Sequence, residues 1–193
     1  MKLGLLIMAL FFALLFIIVG GMGYYVSYKT DSREYPWAYS FDKNKPLLVG
    51  KWAGKFIEPD SVEKKISLEI YEPYTKLERI FYSIGFPYKR RVYIAKNKFE
   101  GYLIIQKKYN KEEYKVRGSI NRKNIKFFDF HLLANEKDTP PYHYSFLFTN
   151  GVWQENQMSF VLTIVFRKNS LPNNLKNHEP ILSKKVKVLL KRA

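Results

Sequence analysis

Residues 113–120 read Glu-Tyr-Lys-Val-Arg-Gly-Ser-Ile, with Tyr114, Val116, Gly118 and Ile120 on one face and Glu113, Lys115, Arg117 and Ser119 on the other. Successive side chains of a strand point to opposite faces, so this alternation describes a strand with one buried face. The same period recurs along the chain. Leu48, Trp52 and Phe56 share a face opposite Lys51 and Lys55. Ile66, Leu68 and Ile70 alternate with Ser67, Glu69 and Tyr71. Met158, Phe160, Leu162, Ile164 and Phe166 line one side of a longer run, and Val186, Val188 and Leu190 alternate with Lys185, Lys187 and Lys191.

Weaker strand signals fill residues 78–84, 91–95, 98–107, 124–132 and 142–148, and turn-forming residues separate many of the runs. Asn150-Gly151 has the composition of a two-residue hairpin turn. No apolar helical stripe lasts three turns beyond residue 47; short helices around 74–79 or 171–177 are the most the pattern allows. The expected fold is all-β: an antiparallel barrel or sandwich of about 8–10 strands, which buries one sheet face and wets the other.

Ahead of this domain, Leu3 to Val19 contains no charged residue, and the apolar character continues through Val26. A bilayer core needs about 20 apolar residues as helix, more than the roughly 7–15 of a cleaved signal. Residues 1–26 therefore read as an uncleaved transmembrane signal-anchor. Tyr24, Tyr25, Tyr28, Tyr35, Trp37 and Tyr39 follow as an interfacial aromatic belt. Residues 27–46, with Pro36, Pro46 and mixed charges, read as a juxtamembrane tether, and 47–193 as the β domain. Lys2 before the apolar run resembles an export signal, whereas Lys29, Arg33 and Lys43 after it favour the opposite orientation. Long domains translocate largely regardless of charge, so the domain is expected outside the cytoplasm.

The chain has 193 residues, with 33 Lys and Arg against 17 Asp and Glu. Lys, Asn, Ile, Tyr and Phe are all abundant, the bias of an AT-rich genome, and this accounts for much of the net charge of +16. Attraction to an anionic envelope polymer or lipid is the functional reading of the remainder. The absence of cysteine excludes disulfides, thiolate zinc sites and cysteine nucleophiles.

Gly50-Lys51-Trp52, opening the first strand, resembles the Gly-x-Trp signature of lipocalin-like barrels. In that family the Trp closes one end of the barrel and a late Arg or Lys packs over its ring. The resemblance implies that Trp52 and Arg192 meet in a cation–π contact and that the first and last strands pair. It covers three residues and a compatible C-terminal strand. The chain departs from the family in having neither disulfides nor an evident helix after the barrel.

Chemistry-bearing patterns are sparse. Asp129 and His131 share a strand face, and with His143 they are the nearest approach to a His/Asp metal or general-base site. No histidine pair has metal-ligand helical spacing, so neither a metal nor another cofactor is expected. Glu58, Asp60, Glu112, Glu113 and Glu155 read as turn or solvated carboxylates. Lys89, Arg90 and Arg91, with Lys107 and Lys108, form the best anionic-surface patch, interleaved with Tyr88, Tyr93 and Tyr109. Such aromatic–basic mixtures also suit single-stranded nucleic acid, but an exported domain seldom meets it.

The sequence thus points to a membrane-anchored, non-catalytic binding module of the envelope, facing the periplasm or cell surface. A carrier of a small apolar ligand and an enzyme of envelope lipid or glycan are the alternatives. If the anchor is retained, intact mass of the protein from membranes will include residues 1–23. A soluble form starting near Tyr24 would overturn the anchor.

Overall fold

The computed structural model describes residues 2–57, 62–83, 91–92, 95–106, 111–134, 149–166 and 182–193. A single helix, α1 (Lys2–Glu34), leads into strands β1 (Gly50–Ile57), β2 (Glu63–Ile70) and the two-residue β3 (Glu72–Pro73). Helix α2 (Lys76–Ser83) and the two-residue β4 (Arg91–Val92) follow. Then come β5 (Lys98–Gln106), β6 (Lys111–Ile120), β7 (Phe127–Ala134), β8 (Thr149–Gln154), β9 (Gln157–Phe166) and β10 (Leu182–Arg192).

Eight strands close into an antiparallel barrel in which each strand pairs with its neighbours along the chain, and β10 returns to β1. Closure places Trp52 opposite Arg192 and Lys55 opposite Leu189. The remaining two strands, β3 and β4, form a small parallel pair outside the barrel. Alternation predicts the register correctly. Trp52, Phe56, Leu68, Val116, Phe160, Leu162 and Val188 are buried, while Lys51, Lys115, Arg117 and Lys187 are exposed.

The interior is filled by aromatic rings in sequence. Trp37 lies 6.3 Å from Phe99, Phe99 6.0 Å from Phe128, Phe128 5.9 Å from Phe130, and Phe130 5.1 Å from Phe160. Two glycines make room for this stack. A Cβ at Gly118 would lie 2.1 Å from the Phe99 ring, and one at Gly151 would lie 2.2 Å from the Phe128 ring. Each ring lies over a glycine on the neighbouring strand, with Phe99 opposite Gly118 and Phe128 opposite Gly151.

That packing explains one departure from expectation. Asn150-Gly151 is not a turn but lies inside β8, where Gly151 serves the Phe128 ring. The β8–β9 turn is Glu155-Asn156, five residues later, and Glu155 adopts a φ of 52°. A second departure is residues 78–84, expected as strand. Residues 76–83 are helix, started by reciprocal bonds between Thr75 and Glu78. Such a box satisfies two backbone N–H groups at a helix start and outweighs the short strand-like pattern. Residues 142–148 and 171–177 lie outside the described residues.

The apolar helix is 33 residues long, about 50 Å at 1.5 Å per residue, and is long and apolar enough to cross a membrane. Side chains from Leu10 to Val26 are exposed throughout. The helix continues well past residue 26, so the segment expected to be a loose tether is ordered.

Replacing Phe160 with Ala will cost about 3–5 kcal/mol in urea unfolding, the range for a large aromatic deletion from a packed core. Gly118→Val will cost about 1–3 kcal/mol by overpacking against Phe99, and Phe99→Leu will recover part of that loss. A Gly118→Val protein as stable as the wild type would contradict the ring-on-glycine packing.

Candidate functional site

One end of the barrel is sealed by the chain that follows α1. Tyr35, Trp37, Ala38 and Tyr39 are buried and join the core. The Leu48 amide donates to the Trp37 carbonyl at 2.8 Å, Trp37 Nε1 donates to the Lys96 carbonyl at 3.1 Å, and the Tyr39 hydroxyl donates to the Pro73 carbonyl. Tyr35, Trp37 and Tyr39 therefore lid the barrel and are not belt residues. The exposed rings at the helix–barrel junction are Tyr24 and Tyr25, joined by Phe41.

The seal is locked from below by the pair the sequence nominated. The Arg192 guanidinium lies 4.7 Å from the Trp52 ring centroid, with Trp52 fully buried. Arg192 also donates to the carbonyls of Val49 and Leu47, and Trp52 Nε1 donates to the Leu48 carbonyl at 2.9 Å. Gly50 has a φ of +115°, and the Arg192 Nη1 lies 3.1 Å from where its Cβ would be. A side chain there would meet both backbone strain and the guanidinium, so glycine is required. Burial lowers the Arg192 pKa, yet a guanidinium keeps its charge at any physiological pH.

A buried carboxylate that sequence reading missed couples helix to barrel. Asp31, in the last turns of α1, is 0% exposed. It accepts the Lys76 amide at 2.9 and 3.0 Å and pairs with Arg79 Nη2 at 3.3 Å. Ser27 Oγ accepts the Leu77 amide at 3.2 Å. A carboxylate at a helix N-terminus satisfies orphan N–H groups and meets the positive end of the dipole. The contact spans 45 residues of chain, so no local pattern in the sequence announces it.

Beside the lid lies an open groove of about 860 Å³. Its charged lining is balanced: Lys43, Lys45 and Arg192 against Glu69, Glu72 and Glu155. Glu155, expected as a turn carboxylate, does sit in the β8–β9 turn.

The other nominated residues are described only in part. Asp129 and His131 share the outer wall of β7, opposite Ser119 and Arg117 of β6, in a shallow depression of about 410 Å³ where Arg117 also pairs with Glu100 at 3.2 Å. His143, Glu58 and Asp60 lie outside the described residues. So do Lys89, Arg90, Lys107 and Lys108 of the basic patch. Arg91 pairs with Glu72 in the small β3–β4 sheet beside the lid, whereas β5 ends at Gln106 at the opposite end of the barrel. Among the described residues no three His, Cys, Asp or Glu side chains are grouped to hold a metal.

Glu112 departs from its expected solvated position. It is buried inside the barrel with Tyr114, whose hydroxyl donates to it at 3.0 Å, and Lys64 is buried on the inward face of β2. The alternation that turns Tyr114 and Ile66 inward also turns Glu112 and Lys64 inward, so this signal was present in the sequence. Glu113, one residue on, faces out. Hydrogen bonds from Lys111 and then Tyr102 hold its carboxyl below the usual range.

Asp31→Ala leaves Arg79 without its closest carboxylate, the Lys76 amide without its acceptor, and Ser27, which holds the Leu77 amide, without the carboxylate its hydroxyl donates to. Arg79 is 24% exposed, so the loss falls near the low end of the buried-pair range, about 3 kcal/mol. Amide hydrogen exchange at Lys76 and Leu77 will accelerate in that variant. Unchanged protection at both amides would remove Asp31 from this role. Compared with protein-family models, with curated proteins and with solved structures, the chain matches none.

Proposed function

We propose that this chain is a membrane-anchored, non-catalytic binding module of the cell envelope, with its barrel outside the cytoplasm. The observation that carries this reading is the joint between anchor and domain. The apolar helix does not end in a loose linker but runs through Ser27 and Asp31 into α2 and the barrel lid. A domain held this way is presented to the membrane surface in one orientation, which raises its effective concentration for surface components. Its outer walls carry the Lys and Arg of β1, β6 and β10, suited to anionic envelope polymers or lipids.

The carrier reading is favoured by the closed eight-stranded barrel and by Trp52 with Arg192 at its sealed end. The Phe99, Phe128, Phe130 and Phe160 rings occupy that half of the interior, the space an apolar cargo would need. Binding by the outer surfaces is therefore the better reading.

The chain has no cysteine, so a single introduced thiol reports topology against a silent background. Lys187→Cys, on the exposed face of β10, will react with a membrane-impermeant maleimide in intact cells. Labelling only after lysis would place the barrel inside and overturn this reading. Affinity capture of the full chain from native membranes, with mass spectrometry of lipid and protein co-eluates, then identifies what it holds.

A further inference from the structure

The groove beside the lid lies at the level where the helix leaves the bilayer, and this follows from ring contacts. Phe41, 53% exposed, lies 5.5 Å from Tyr25 and 4.8 Å from Tyr28, and Tyr28 stacks on Tyr24 at 6.3 Å. The Tyr28 hydroxyl donates to the Ser40 carbonyl at 2.8 Å, pinning this loop to the helix. Tyrosines that end an apolar span sit at headgroup depth, so Phe41, in contact with them, sits there too.

The loop then turns tightly. The Asn44 amide donates to Asp42 Oδ1 at 2.9 Å and the Lys45 amide to the Asp42 carbonyl at 3.2 Å. Lys45 is four residues from Phe41, at most about 14 Å along extended chain and less across a turn. Lys43 and Lys45, both exposed, thus open the groove toward the headgroup layer.

The lining then narrows the class of ligand. Three cations and three carboxylates share the groove, which gives no net attraction to a bare anion. A molecule carrying both a phosphate and an ammonium would satisfy both signs, with charge-assisted hydrogen bonds to each. At about 860 Å³ the groove falls in the range of small-molecule sites. We propose that this groove binds the headgroup of a phospholipid of the anchoring leaflet, one whose phosphate bears a primary amine. Lys43 and Lys45 take the phosphate, and Glu69 takes the ammonium. The proposal rests on the anchored reading above and adds the identity of the surface component.

The test is native mass spectrometry of the full chain released from nanodiscs holding equal parts phosphatidylethanolamine, phosphatidylcholine and phosphatidylglycerol. The protein will retain phosphatidylethanolamine in preference to the other two. Lys43→Ala with Lys45→Ala, and separately Glu69→Gln, will each lower that retention about tenfold, as expected on losing a charge-assisted contact. Lys115→Ala, on the outer wall away from the groove, will leave it unchanged. Melting temperatures of the variants confirm that they remain folded. Equal retention of the three lipids, or retention insensitive to both variants, overturns the assignment. Preference for phosphatidylglycerol overturns it in favour of a simple basic surface, and displacement by soluble phosphoethanolamine overturns the lipid as source. The same spectra report intact mass, so loss of residues 1–23, which would defeat the anchor, is read separately from loss of lipid.

Discussion

Pairing of β1 with β10 is the constraint on which everything else depends. An eight-stranded sheet left open would present two rows of unpaired N–H and C=O groups and would have no enclosed side. Closure turns the alternating face of each strand into an interior, and only then do Trp52, Phe160 and Val188 acquire neighbours on all sides. The register at the seam sets Trp52 opposite Arg192, so the cation–π contact and the ladder reinforce the same alignment. Slipping β10 by one residue would turn Val188 and Leu190 outward and separate Arg192 from the ring. The seam joins segments some 140 residues apart, so its pairing carries a large loop-closure cost.

A closed barrel can hold either side chains or a ligand, and near the lid this one holds side chains. The aromatic series from Trp37 to Phe160 packs edge-to-face or stacked at 5–6 Å, geometries in which ring quadrupoles attract. Glycines beneath two rings show that space was removed from the backbone side to admit them. Polar interior groups, Lys64, Glu112 and Tyr114, occur toward the opposite end, so the barrel is graded from apolar at the lid to polar away from it. The lid loop, the β8–β9 turn and Arg192 converge at the rim of the apolar end.

Legibility in the sequence followed the range of the interactions concerned. Strand faces were readable because period-two alternation is local, and Gly50-Lys51-Trp52 with Arg192 pointed to the seam. Residues 27–46 were not readable, since Trp37 is held by Lys96 and Phe99 some 60 residues away and Tyr35 lies against Arg79, 44 residues on. Asp31 went unnoticed for the same reason, since its partners Lys76 and Arg79 lie 45 and 48 residues on. Thr75 and Glu78 did carry a capping-box signal that competed with the strand pattern beside it. At Asn150-Gly151 a true turn composition was overruled, because Gly151 is needed flat against Phe128. Glu112 shows the reverse case, a sound alternation set aside because a charged residue was assumed to face water.

The helix and barrel together behave as one lever. A bilayer core takes about 30 Å, whereas α1 extends for roughly 50 Å, so a membrane crossing would use only part of the helix. Its C-terminal part carries Ser27, Asp31 and Glu34, all engaged with α2 or Lys96. A helix whose polar end is bonded into a β domain cannot rotate about its axis without breaking a buried carboxylate's hydrogen bonds, and losing those costs several kcal/mol. Rotation of α1 relative to the barrel is therefore fixed, and the lid loop with Phe41 is held against the helix. The orientation of the apolar helix on the barrel is in this way a property of the fold, set by Asp31.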